Sequence, residues 1–344
     1  MLSARLYGIN DIRLEEVPTP KAGKGEVVIQ VKSAAICGTD VRMITSGAKG
    51  IDVNHPRILG HEFAGFVYEV GEGVTNYKVG DRVAVAPNMG CGTCAQCVKG
   101  NGQLCPDYKA TGINIDGAFA PYVLLPEIAV RSGNICPISE KISFDEAAIN
   151  EPLSCVYNGF EHADIHAGDV VLVVGAGPIG MMHCALALMA GGIVYLNDLS
   201  QERLNDAQKI YPNLNIIQGD PKSKIAEVTS GAGADVVICA CPVPSVQAQA
   251  LELAGIGGRV VFFGGIAAGK EPVSLDTNQI HYKQLIVTGT TRASLSQYRK
   301  TLDFIEKGIL NVKPLITRTF ALKDFDEAFL CSKNGIGYKN VIRF

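Results

Sequence analysis

The chain has 344 residues, 47% of them hydrophobic and 19% charged, with 38 glycines and a formal net charge of −3. That length accommodates two domains with separate cores, and the balance is that of a globular protein rich in turns. The near-neutral charge gives no electrostatic reason to expect nucleic acid or an anionic membrane surface as a partner, and no uncharged apolar run is long enough to span a bilayer.

The N-terminal Met1-Leu2-Ser3-Ala4-Arg5 lacks the apolar core of an export signal and reads as the start of a strand. A reducing, cytoplasmic setting is therefore expected. Up to about residue 145 the chain reads as β-rich. Short runs at Val27–Val31, Phe63–Val70 and Arg82–Ala86 are separated by Gly, Pro and Asp turns, the pattern of a small irregular barrel. Within it, Cys37-Gly38-Thr39-Asp40 and Gly60-His61-Glu62 lie in separate loops. Cys and His are good zinc ligands, and three protein ligands with one open position make a catalytic site. On residue type alone, Cys37 and His61 are also readable as buried core residues.

The run Cys91-x2-Cys94-x2-Cys97-x7-Cys105 sets four thiols within fifteen residues, on a Gly- and Asn-rich segment unsuited to a regular helix. Such spacing suits a closed tetrahedral zinc site, structural in kind, in a lobe over about residues 88–108. A pair of disulfides is the alternative, and the absence of an export signal speaks against it. The remaining six cysteines (Cys136, Cys155, Cys184, Cys239, Cys241 and Cys331) have apolar neighbours and read as small buried hydrophobes.

Near residue 150 the pattern changes. Asn150-Glu151-Pro152 marks the expected domain boundary, where the Glu151 carboxylate is expected to face a cleft and complete a metal shell. Asp169–Val174 is a continuous apolar strand, followed by Gly175-Ala176-Gly177-Pro178-Ile179-Gly180 and an apolar helix at Met181–Ala190. Then come a strand at Ile193–Asn197 ending at Asp198, a helix at Gln201–Ile210, strands at Ala234–Ala240, Arg259–Gly264 and Leu285–Thr288, and a helix at Val246–Ala254. This alternation predicts a doubly wound parallel sheet. Beyond about residue 292, helices at Ser296–Lys307 and Asp324–Ser332 alternate with strands at Leu315–Phe320 and Asn340–Phe344. The last strand is expected to return to the first domain.

The glycine motif follows a buried strand, opens a helix, and has Asp198 23 residues beyond Gly175. Gly175 makes the tight turn, Gly177 lets backbone approach a pyrophosphate, and Gly180 lets helix and strand pack closely. The helix N-terminus at Pro178 and Ile179 then faces the phosphates. Asp198 is expected to accept the adenosine ribose hydroxyls and to repel a 2′-phosphate, favouring NAD over NADP. Arg203 nearby weighs slightly toward NADP, and a plain helix-capping role for Asp198 is the alternative.

Together, Cys37-Gly38-Thr39-Asp40, Gly60-His61-Glu62-Phe63-Ala64-Gly65, Val79-Gly80-Asp81-Arg82-Val83, the four-Cys lobe, Glu151-Pro152-Leu153-Ser154 and Gly175–Gly180 carry a resemblance that runs nearly end to end. The chain resembles the zinc-dependent medium-chain alcohol dehydrogenases, in the sorbitol (L-iditol) and threonine dehydrogenase branch. The resemblance implies a GroES-like β-barrel catalytic domain over 1–148 and 292–344, a Rossmann NAD-binding domain over 149–291, and a homotetramer or homodimer. It implies two zinc ions per chain: a catalytic one on Cys37, His61, Glu62 and Glu151, and a structural one on the four cysteines of the lobe. Glu151 stands where many alcohol dehydrogenases have Cys, which points to the polyol branch. The implied reaction is reversible NAD-linked oxidation of a secondary alcohol of a polyol, such as sorbitol or L-iditol, to a ketose, with Thr39 on the reacting oxygen. Where many relatives carry a proton-relaying His, this chain has Arg42, which cannot release a proton near neutrality. Arg42, and more weakly Arg292, are candidate substrate contacts, and an exposed Arg42 paired with an acid is the plain alternative. Arg42 keeps open an anionic substrate, either a polyol phosphate such as galactitol 1-phosphate or L-threonine. A zinc- and NAD(H)-binding regulator is the non-enzymatic reading.

Overall fold

The nine-residue strand Val27–Ala35 carries hydrophobic side chains on both faces, and most of them are fully buried. A strand of that kind must be covered on both sides. In the computed structural model, which describes residues 1–267 and 269–344, it lies inside a seven-stranded sheet. The strand order is Ile135–Pro137, Arg82–Val85, Glu62–Val70, Val27–Ala35, Lys339–Arg343 and Ile316–Ala321, with Tyr122–Leu125 also paired to Val27–Ala35. Two register shifts between Val27–Ala35 and Glu62–Val70 mark bulges, which bend and twist the ladder. The core beneath includes Leu6, Ile29, Phe63, Phe119 and Phe325, with the last two rings edge-on at 5.1 Å.

Register decides what this sheet brings together. Ala35 pairs with Glu62 and also with Val341. One end of the sheet therefore gathers the loop after Ala35, the loop before Glu62 and the start of the C-terminal strand. Ile36 N donates to Asn340 O at 3.0 Å and extends the pairing. Contacts group residues Met1–Ser154 with Ala293–Phe344, and Cys155–Arg292 by themselves.

The second unit is a six-stranded, wholly parallel sheet in the order Asn215–Gln218, Ile193–Asp198, Val170–Val174, Ala234–Cys239, Ala254–Phe262 and Ile286–Gly289. Numbered along this unit, the order is 3-2-1-4-5-6, the doubly wound arrangement whose direction reverses between its first and fourth strands. Val171, Leu172, Val173, Val236, Val237 and Ile238 are fully buried at that junction. The edge strand Asn215–Gln218 was not foreseen: only Ile217 of its four residues is buried, so it carries little hydrophobic pattern. No helix among the described residues is long and apolar enough to cross a membrane.

Candidate functional site

The sheet end just described holds the first cluster. Cys37 precedes the helix Gly38–Ser46, whose buried Met43 and Ile44 pin it to the core. Gly60 has φ 94°, and a Cβ there would lie 2.7 Å from Phe119 Cδ1, so only glycine lets the chain turn tightly enough to present His61. Cys37, His61 and Glu62 each offer a ligand atom, all within 4.8 Å of one another. His61 and Glu62 are buried.

Asp40, in the first turn of that helix, is fully buried and orients this cluster. Its Oδ2 accepts the Cys37 amide at 2.8 Å, and its Oδ1 lies 3.5 Å from His61 Nδ1. Burial alone pushes the His61 pKa down, but the neighbouring Asp40 and Cys37 charges overcome it and hold it well above the ordinary value. Glu62 Oε1 is buried with no hydrogen-bond partner. Glu62 Oε2 lies 2.5 Å from the Lys339 ammonium, an ion pair lacking hydrogen-bond alignment. Burial pushes Lys339 down, yet the Glu62 and Cys37 charges raise it on balance, so it stays protonated. A half-buried soft thiol, a buried imidazole and a partnerless buried carboxylate oxygen, converging at one spot, are a donor set that fits a borderline-soft divalent cation such as zinc.

Glu151 is buried in the first turn of the helix Asn150–Ala163 and is not among the donors within 4.8 Å, although its charge acts on Lys339. Thr39 is half-buried in the first helical turn, and Arg42 is exposed one turn further on. Among the described residues Arg42 makes no ion pair, so the alternative of an exposed Arg paired with an acid has no partner here. Asp40 and Lys339 had no role assigned from the sequence. Asp40 stood in a quoted motif, whereas nothing local marks Lys339.

The sulfurs of Cys91, Cys94, Cys97 and Cys105 also lie within 4.8 Å of one another. Backbone amides point at them: Cys91 N to Cys105 Sγ at 3.4 Å, Cys94 N to Cys91 Sγ at 3.4 Å, and Cys97 N to Cys94 Sγ at 3.5 Å. Amide donors of this kind stabilise thiolates, and hydrogen bonds from Thr93 and Cys94 lower the Cys91 pKa. All eleven cysteines are free thiols, so the disulfide alternative is not realised. Of the six outside the two clusters, Cys155 and Cys241 are only half-buried.

In the parallel sheet, Gly175 has φ 110° at the end of Val170–Val174, beside Cys241 from the end of Ala234–Cys239. A Cβ on Gly180 would fall 1.8 Å from Gly175 O, whereas a Cβ on Gly177 would meet nothing within 4 Å. Gly180 is thus needed for packing, and open space lies over Gly177 at the N-terminus of the helix Pro178–Met189. Asp198 Oδ2 accepts Ala176 N at 2.7 Å and Oδ1 accepts Ser200 N at 2.9 Å. The helix cap is Ser200, which accepts Arg203 N at 3.3 Å. Asp198 therefore ties the glycine loop to the second strand and is not the helix cap. Arg203 is half-buried, and Arg292 has φ 57° with its carbonyl accepting Asn158 Nδ2 at 2.9 Å.

Residues 23–132 match the alcohol dehydrogenase GroES-like domain, and residues 178–307 match the zinc-binding dehydrogenase family. The chain is 35% identical to L-threonine 3-dehydrogenase of Bacillus subtilis over 94% of its length and 92% of that protein's. It is 31% identical to sorbitol dehydrogenase of the same organism over 99% and 95%. Among solved structures, the alcohol dehydrogenase rspB of E. coli CFT073, complexed with NADH, superposes with a TM-score of 0.90 at 29% identity, covering 100% of this chain and 99% of that one. Cys91, Cys94, Cys97 and Cys105 resemble the structural zinc site of such enzymes, and Cys37, His61 and Glu62 the catalytic one. Sequence, fold and donor sets agree that the chain belongs to the zinc-dependent medium-chain alcohol dehydrogenases, in the part of the family that holds sorbitol and L-threonine dehydrogenases.

Proposed function

We propose that the protein oxidises a secondary alcohol of a polyol to a ketose, reversibly, with NAD as acceptor. The observation that carries this reading is the convergence of half-buried Cys37 with buried His61 and Glu62, with Glu62 Oε1 left partnerless. Those residues would hold the catalytic zinc, with Glu151 adding a carboxylate, and the four-Cys lobe would hold a second zinc. When bound, zinc supplies Lewis acidity toward an alcohol oxygen, and NAD supplies the two-electron acceptor.

The chain's own residues supply position and proton handling. Asp40 holds the Cys37 amide and sets a negative charge beside His61. Thr39 Oγ1 would take a hydrogen bond from the reacting hydroxyl and pass its proton on. Arg42 cannot relay that proton, so the proton would leave by water or by a carboxylate such as Glu62 or Glu151. The amides at the start of Pro178–Met189 would receive the pyrophosphate over Gly177, and Asp198, with Arg203 nearby, would border the adenosine ribose. Assembly as a homodimer or homotetramer belongs to the same reading.

A second reading has a specific observation behind it. Arg42 is exposed and makes no ion pair among the described residues, and relatives named L-threonine 3-dehydrogenase reach 35% identity. An anionic substrate, a polyol phosphate or L-threonine, would use that charge, with Arg292 as a weaker second contact. Rates on sorbitol, a hexitol phosphate and L-threonine separate the two. Turnover of the free polyol supports the first reading, and activity confined to the anionic compounds overturns it in favour of the second.

A further inference from the structure

The C-terminal strand sets a buried cation against Glu62. Lys339 is 3% exposed and Glu62 is 0% exposed. The Lys339 ammonium lies 2.5 Å from Glu62 Oε2 and donates to Ile36 O at 3.1 Å, one residue before Cys37. Both arms are fixed by the sheet, because Val341 pairs with Ala35 and Ala35 with Glu62. An ammonium is costly to bury, and the surface lies close by for most lysines, so its retention here calls for a reason.

We infer that Lys339 is a positioning residue that ties up one oxygen of Glu62 and so weakens the hold of Glu62 on the metal. The inference rests on the proposed assignment of Cys37, His61 and Glu62 to zinc. Its physical basis is direct. In the metal-free protein Lys339 neutralises a carboxylate that would otherwise be buried and uncompensated. In the loaded protein the same ammonium competes with the metal for Glu62 at short range in a low-dielectric surrounding. Both effects lower metal affinity. A residue that merely held the fold together would do the opposite, because its loss would loosen the donor set and release the metal.

The experiment follows zinc loss to excess chromogenic chelator at neutral pH in wild type, K339M, K339R, E62Q and K339M/E62Q. The zinc of this centre is identified as the fraction absent from Cys37→Ser. K339M is expected to release it about tenfold more slowly than wild type, the scale of effects from residues that orient a ligand. K339R keeps the charge and should rescue the wild-type rate. K339M/E62Q should release zinc at the rate of E62Q, because Lys339 acts through Glu62. Equal or faster release from K339M overturns the inference, as does a slowing that persists in the E62Q background. If K339M does not accumulate folded, K339Q, which removes the charge and keeps a polar head, is compared with wild type in its place: slower release supports the inference, and equal or faster release overturns it. A wild-type chain with zinc in the four-Cys lobe alone overturns the metal assignment together with the inference, whereas two zincs with unchanged release in K339M overturns the inference alone.

Discussion

Asp40 accepts the backbone amide of Cys37 at 2.8 Å from a fully buried position, fixing the thiol at the head of its helix. Its second oxygen lies 3.5 Å from His61 Nδ1. One carboxylate therefore holds the backbone of one metal donor and lies beside another from a different loop. Asp40→Ala is expected to weaken zinc binding by about 10–100-fold and to cost about 1–3 kcal/mol of stability through the orphaned amide. Chelator competition and thermal unfolding measure the two effects. This direction is opposite to that expected for K339M, so the pair of variants separates residues that support the donors from one that competes with the metal.

Gly177 and Gly180 should fail in different ways. Alanine at Gly180 places a methyl 1.8 Å from Gly175 O, so the helix must move and stability should fall by about 1–3 kcal/mol. Alanine at Gly177 meets nothing within 4 Å, so unfolding should be unchanged. That methyl would occupy the space proposed for the pyrophosphate, and NADH affinity should fall by about tenfold or more. Fluorescence titration with NADH, beside thermal melts, checks both.

Cys94 serves the four-Cys cluster twice, as a donor and as the cap accepting Cys97 N. Cys94→Ala should lose the zinc of that lobe while retaining the other, and lower thermal stability, with turnover falling only as structure is lost. Metal analysis of the folded fraction gives the stoichiometry. Wild-type melting with that zinc missing would contradict a structural role.

His183 is buried in the helix after the glycine motif, its Nε2 has no hydrogen-bond partner, and its ring packs edge-on to Phe263 at 4.8 Å. Burial pushes its pKa from 6.5 down to about 3. The unfolded chain binds this proton more readily, so the contribution of His183 is complete above 6.5 and is lost as pH falls from there toward 3. Across that window the loss is roughly 5 kcal/mol. His183→Gln removes the titration, and its melting temperature should decline less steeply with acidification than that of wild type. Parallel declines would refute the assignment.

Local motifs were the legible part of the site. The four cysteines act within fifteen residues, and the glycine motif sits on one strand–turn–helix unit, so their spacing already specifies geometry. The family resemblance supplied the grouping of Cys37 with His61 and Glu62. Asp40 and Lys339 were not assigned roles because their partners depend on sheet register, and the Lys339 contact with Ile36 spans 303 residues. The helix Asn150–Ala163 was also missed. Pro152 reads as a breaker, yet it sits in the first turn, where its absent N–H would have had no helical partner. Asp198 shows a different limit: spacing located it, but only the structure reveals that its oxygens already accept Ala176 and Ser200 amides.

The central claim is a zinc-dependent hydride transfer from a secondary alcohol to NAD at the Cys37–His61–Glu62 centre. Its most direct test is the appearance of NADH absorbance when zinc-quantified wild type and Cys37→Ser are each given NAD and a panel of polyols, polyol phosphates and L-threonine. Wild type should carry two zincs per chain and reduce NAD with at least one compound, while Cys37→Ser should stay folded, bind NADH, carry one zinc and form none. Undiminished NADH formation by Cys37→Ser, or none by wild type loaded with both zincs on any compound, would contradict it.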